Sequence, residues 1–211
     1  VADTPETSDD DVDQVMDNVG YDVQKIEEKE LSVDPITAYN HVAIYLRWCM
    51  ENNLMSDDFL KQYGDVVHSV KNNAANVDLR LFIKEKLNGS LTKALFNKEG
   101  RSFADYYYGW YYGANEHPFF PGDIDNYALE YFGAERYHSD EFKEEAYLFI
   151  PFDNEYYQQM AQLMDRRFAN WHGQQIDQST AKPSELASAF MDYLDCECTY
   201  FPSMRDDDPI M

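Results

Sequence analysis

Positive charge is what this chain has least of. It carries 17 Lys and Arg against 40 Asp and Glu, for a net charge of −23. Such a field repels the phosphates of nucleic acids and of anionic membranes and draws basic partners inward. Cysteine is also scarce, with only Cys49, Cys196 and Cys198. An odd count containing one Cys-Glu-Cys pair makes no disulfide framework and fits a reducing compartment. A structural zinc site wants four ligands, whereas His41, His68, His117, His138 and His172 are scattered through unrelated segments. Asp105, Asp123 and Asp125 offer hard oxygen donors, but helix capping and solvation account for them more simply. No metal and no cofactor are expected. No apolar run approaches the ~20 residues of a membrane helix, and Val1 opens no signal-peptide pattern. The expectation is therefore a cytoplasmic protein with no membrane partner. Phosphate loops, G-x-S-x-G and G-x-G-x-x-G are all missing, so no catalytic residue is nominated and an enzyme is not expected.

What the chain does have is aromatic residues and carboxylates in the same places. The stretch from Arg101 to Phe152 holds 17 of the 33 aromatic residues with 10 of the 40 acids threaded between them, and reads as the part around which the rest is organised. Its charge is uneven in a telling way. Residues 99–155 carry 13 acids and 3 bases, and residues 1–34 carry 12 acids and 2 bases, whereas residues 35–98 carry 6 acids and 8 bases. Too many of the rings are tyrosines for a simple apolar core, because a buried phenol needs a hydrogen-bond partner. Tyr and Trp are also enriched at the energetic centres of protein interfaces.

Periodicity predicts a mainly α fold, an irregular multi-helix domain with a small β component near residues 146–152. Helices are expected at about 35–52 (capped by Asp34), after Ser56, after Asp78, over 123–132 (capped by Asp123) and from Asp153 to about Trp171. Further short helices are expected over 90–96 and from Pro183 to Leu194, and residues 103–112 fit either a helix or a strand. AYLFIPF, Ala146–Phe152, reads as a strand at an edge. Residues 1–33 are expected to be an acidic arm and linker with one short helix over 8–20. Residues 34–211 are expected to form a single domain. Of the adjacent pair Arg166 and Arg167, one is expected in solvent and the other on a nearby acid.

The segments AYNHVAIYLRWCMENNL, DIDNYALEYFGAERYHSDEF, EEAYLFIPF and LDCECTYFPSMRDDDPI resemble a bacterial family of candidate immunity proteins found beside polymorphic and type VI secreted toxins. The resemblance covers about residues 35–211 and implies a cytoplasmic protein that binds and neutralises a cognate toxin domain. It supplies no functional residues. Position and composition nominate Trp110, Tyr111, Tyr112, Asp123, Asp125, Asp140, Glu141 and Glu144 as the partner surface, with Phe103, Tyr107, Tyr127 and Tyr131 as core. The toxin surface is expected to be basic. Two alternatives stand beside this reading: an enzyme with an aromatic, carboxylate-bearing cleft such as a glycan hydrolase, and an acidic adaptor that mimics nucleic acid. Oligomeric state is left open.

Overall fold

A computed structural model of the chain describes residues 13–73, 77–108 and 119–180, with side chains described as far as residue 174. The fold is mainly helical with a small two-stranded antiparallel sheet. The chain divides into two compact units, Val1–Phe168 and Ala169–Met211. Of the second, the described part is one stretch of helix, in which the Trp171 and His172 rings meet at 4.8 Å.

The first unit is built around helix α2, Asn40–Glu51. Asp34 caps its approach by accepting from the Ile36 amide at 2.9 Å, and a 3-10 turn over Pro35–Tyr39 leads in. A surface helix buries one stripe, but α2 is buried on nearly every side, from Val42 to Leu46 and from Trp48 to Met50, and is therefore the central helix. Helices α3 (Asp57–Asn73) and α4 (Leu79–Lys86) pack on it. Ser56 and Asp78 begin them as expected, through bonds from Phe59 N–H at 3.2 Å and Arg80 N–H at 3.0 Å. The irregularity expected at Gly64 is a kink one residue earlier, at Tyr63. Helix α5 (Lys98–Tyr107) settles the 103–112 ambiguity in favour of helix as far as Tyr107. Helices α6 (Phe120–Phe132) and α7 (Ala134–Tyr137) follow, joined at Gly133 with φ of +75°. Helix α8 (Asn154–Thr180) starts at Asp153, whose carboxylate accepts from the Tyr156 amide at 2.9 Å. The expected helix after Pro183 and the Cys196–Cys198 pair lie outside the described residues.

Two expectations for the β component are corrected. The sheet joins β1 (Val15–Asn18) to β2 (Ser90–Thr92), with Asp17 opposite Leu91 and a bulge between Val15 and Asp17. Both segments fall where the sequence predicts short helices, over 8–20 and 90–96, and both are strands. Residues 146–152 are not a strand. Ala146–Phe149 winds as a 3-10 turn in which Leu148 N–H bonds back to Glu145 O at 3.1 Å. The alternation that suggested a strand survives as burial, with Ala146, Leu148 and Ile150 inside. A period of two reports which side chains face in, and a strand also needs a neighbour to pair with.

The expected arm is corrected as well. Residues 20–28 form α1 (Gly20–Glu28), and Val19, Ile26 and Leu31 are buried in the body. Hydropathy hid this helix because its inward face also carries Asp22.

The loop after α2 is pinned to the segment before α5. Asn97 N–H bonds to Leu54 O at 2.9 Å, and Ser56 N–H bonds to Leu95 O at 2.9 Å. A Cβ at Gly100 would stand 2.6 Å from that same Leu54 oxygen. Backbone cannot swing away there, so Gly100→Ala should cost about 1–3 kcal/mol. The measurement is urea unfolding with an unchanged slope. A wild-type midpoint would mean that α5 can slide off the loop.

Candidate partner-binding surface

The rings of the aromatic-acidic stretch divide sharply by position. Phe103, Tyr107, Tyr108 and Phe120 are all buried, as are Tyr45, Trp48 and Phe96 from the preceding half of the chain. They form one network, with Tyr45 4.8 Å from Tyr108, 5.1 Å from Phe120 and 6.0 Å from Phe96, and Trp48 5.4 Å from Phe103. Phe103 and Tyr107 are core as expected. Tyr131 is not; it is 52% exposed, stacked at 6.2 Å on the half-buried Tyr127, which in turn stacks at 4.6 Å on the buried Tyr156.

Four of the phenols are satisfied by carboxylates. Tyr107 donates to Asp123 at 2.7 Å and Tyr147 to Asp22 at 2.6 Å, while Tyr108 donates to Asp17 and Tyr157 to Glu51. Burial first, and then the adjacent carboxylate, hold all four phenols well above the usual tyrosine range. Tyr137 is pushed up to about 12 by desolvation and its hydrogen bond to Asp125. Much of the coincidence of tyrosine and acid in the sequence is thus internal pairing, a physical explanation that an interface reading alone does not supply.

Asp123 shows the consequence. It is buried, 5% exposed, and does not cap α6, which begins three residues earlier at Phe120. Its two oxygens accept from Arg167 Nε at 3.0 Å and Nη2 at 2.9 Å, and one also accepts from Tyr107. Asp123 is therefore withdrawn from the partner surface. Arg167 is the paired arginine and Arg166 the exposed one, as the sequence led us to expect.

The other nominated acids are on the outside. Asp125, Asp140, Glu141 and Glu144 are all exposed, together with Glu130 and Glu135, which were not nominated. Their freedom differs. Asp125 accepts from Tyr137, and Glu141 accepts at both its oxygens from Nε and Nη2 of Arg136, at 3.0 and 2.8 Å. Arg136 in turn lies 5.0 Å from the Phe132 ring and 5.3 Å from the Phe142 ring. Glu144 has a side chain 94% exposed, with its nearest cation, Lys29, at 3.8 Å. These contacts tie the end of α6, α7 and the loop to Glu145 together, and the exposed acids and Tyr131 all lie on these segments. Trp110, Tyr111 and Tyr112 lie outside the described residues.

A second feature escaped the sequence reading altogether. His41 on α2 faces Asp17 of β1 at 3.2 Å and Asp22 of α1 at 3.7 Å. Lys25 reaches Asp22 at 3.1 Å, Glu145 at 3.4 Å and the Tyr147 hydroxyl at 3.1 Å, and Lys29 reaches Glu145 at 2.8 Å. No local motif could have shown it, because its members come from four separate segments.

A hollow of about 350 Å³ opens between α2, α4 and the start of α8, lined by Arg47, Arg80, Asp78, Asp153, Phe152 and Tyr157 among others. Both carboxylates are engaged: Asp78 caps α4 and forks onto Arg80 at 2.9 and 2.7 Å, and Asp153 caps α8. Arg47 lies 3.4 Å from the Tyr157 ring centre and bonds to Glu51 at 2.9 Å. The hollow presents no free carboxylate pair of the kind glycoside hydrolysis uses. Cys49 is fully buried, and burial drives its thiol far above the usual range, so it packs rather than reacts. Among the described residues no group of three or more His, Cys, Asp or Glu is placed to hold a metal, and no helix is long and apolar enough to cross a membrane.

The architecture, then, is a helical body with a small two-stranded antiparallel sheet, exposed acids on its outside and phenol–carboxylate pairs inside. Residues 15–139 match the family described as Domain of unknown function (DUF7832), and with more than half of its length matched the chain belongs to that family. The match begins with β1, so it takes in the segment the sequence reading had set aside as a linker, and it ends just before Asp140. Comparison with curated proteins gave no match, and neither did comparison with solved structures.

Proposed function

We propose that this protein is a cytoplasmic immunity-type binding protein, without catalytic activity of its own, that neutralises a bacterial toxin domain by covering a basic surface on it. The observation that carries this reading is the exposed acidic face of α6, α7 and the following loop. Glu130, Glu135, Asp140 and Glu144 stand in solvent along these segments, which also carry the half-exposed Tyr131. The resemblance of four segments to candidate immunity proteins supports the same reading. Carboxylates on such a face speed encounter with a cationic partner, and aromatic anchors at its centre slow departure. Asp140 and Glu144 are assigned to steering, Asp125 and Glu141 to the rim, and Trp110, Tyr111 and Tyr112 to anchoring.

The test is capture of the neighbouring gene product from the native host, followed by binding kinetics with the purified pair. Asp140→Lys with Glu144→Lys should lower the association rate roughly tenfold at low ionic strength, with the deficit shrinking as salt is added. Trp110→Ala should instead raise the dissociation rate, by an amount equivalent to roughly 2 kcal/mol. If the neighbouring product does not bind, or if both variants bind as the wild type does, the proposal fails.

A further inference from the structure

We propose that His41 is a proton-operated clasp that fastens the β1–α1 segment to the helical body, closed when the imidazole is cationic and loosened when it is neutral. The geometry is that of a junction. His41 belongs to α2, the central helix, and its Nε2 faces carboxylates from β1 and α1, Asp17 at 3.2 Å and Asp22 at 3.7 Å. Its side chain is 11% exposed, and the Tyr147 ring stands edge-on at 6.0 Å.

Every charged or titratable group recorded around this ring enters the balance. Asp17 comes from β1, Asp22, Lys25 and Lys29 from α1 and its end, Tyr108 from the end of α5, and Glu145 and Tyr147 from the 3-10 segment. Tyr108 and Tyr147 stay neutral and donate to Asp17 and Asp22. Three carboxylates then face two lysines, with Glu144 a fourth at 3.8 Å from Lys29, so the lysines leave negative charge that a cationic His41 offsets. With Asp17 accepting at Nε2, that nitrogen keeps its hydrogen in both states. The proton that comes and goes is therefore on Nδ1, which is buried and has no hydrogen-bond partner among the described residues.

Burial opposes the charge on His41, but the hydrogen bond and charge of Asp17 and the charge of Asp22 outweigh it and raise the imidazole above its ordinary value. Asp17 is the mirror case: burial opposes its ionisation, and His41 and Tyr108 outweigh that and lower it. The sign follows from linkage. A raised histidine stabilises fully below its free value of about 6.5 and loses that contribution as pH rises through the folded value. A lowered aspartate stabilises above its free value and loses that contribution as pH falls through the folded one. The clasp is thus closed between the two and opens on the alkaline side as His41 deprotonates.

Two measurements on the wild-type protein test this. NMR titration gives the His41 value in the folded chain, and hydrogen exchange corrected for intrinsic rates gives the opening of the arm. The amides to follow are Val19, bonded to Gly89 O at 2.9 Å, and Lys93, bonded to Gln14 O at 3.0 Å. Between pH 6 and 9 their protection should fall about tenfold for each pH unit by which His41 is raised above 6.5. Protection elsewhere, as at Leu54 and Ser56, should stay level. Asp17→Asn should bring the His41 value down and shrink the pH dependence in proportion, and His41→Gln should abolish it. If His41 titrates at or below 6.5, or the β1 amides hold level protection across the range, the clasp is refuted. It is refuted too if the same pH dependence persists in His41→Gln. Should that variant not fold, the wild-type pair of measurements and Asp17→Asn still decide.

Discussion

Arg167→Ala is expected to destabilise the protein by about 3–5 kcal/mol. Among the described residues its guanidinium is the only cation on Asp123, a carboxylate 5% exposed, and it grips both oxygens at 2.9 and 3.0 Å. Truncating the arginine leaves an ionised group in the interior with a single phenol, Tyr107, for company. The cost is the stranded charge rather than the lost bond, and this can be tested separately. Asp123→Asn in the Arg167→Ala background should recover stability, because it removes the charge that had been stranded. Arg167→Ala should therefore be the more damaging when made alone, with a coupling energy of clear sign in the double-mutant cycle. Urea unfolding of the four proteins provides the measurement, and a strictly additive cycle would show that the pair is not energetically coupled.

Trp48→Ala should cost a similar amount, about 3–5 kcal/mol, for a different reason. Trp48 is 1% exposed and sits between Tyr45, Phe103 at 5.4 Å and Phe168 at 5.5 Å, so its removal leaves a void walled by rings that cannot all move in. Its indole N–H bonds to Asp165 at 2.8 Å, but Asp165 is exposed and water can replace that bond. Trp48→Phe, which fills most of the space and loses the bond, should accordingly cost well under half as much. If the two variants unfold at the same midpoint, the indole bond and not the packing is what matters.

How much of this could be read beforehand depended on which signal each element carried. Caps were the dependable ones: Asp34, Ser56, Asp78 and Asp153 each accept the backbone bond their position implied. A cap is a local device, settled within three residues. Strands β1 and β2 were missed because pairing is not local, and neither segment alternates for long enough to announce itself. Helix α1 was missed because Asp22 and Lys25 are polar residues working inside an ion cluster, and hydropathy scores them as solvent-facing. Asp123 misled for the same reason in reverse. Its place after two prolines marks a helix start, but Pro121 already lies in the first turn of α6 and the aspartate is free to point inward at Arg167. The acidic outer face was legible as charge density. Which of its acids are already spent on Arg136 or Tyr137 was not, because that needs the distances.

The pairing of β1 with β2 also bears on the order of events at the ribosome. The first described strand is made early, yet Val15 aligns with Thr92 and Asn18 with Ser90. Roughly 75 further residues must be polymerised before its mate exists, which at about 5–20 residues per second is several seconds or more. During that interval helices α2, α3 and α4 are being completed without the β1–α1 segment in place. Within the described fold β1 therefore waits for β2 before it can pair, and a nascent chain halted before Ser90 would hold β1 without its strand partner.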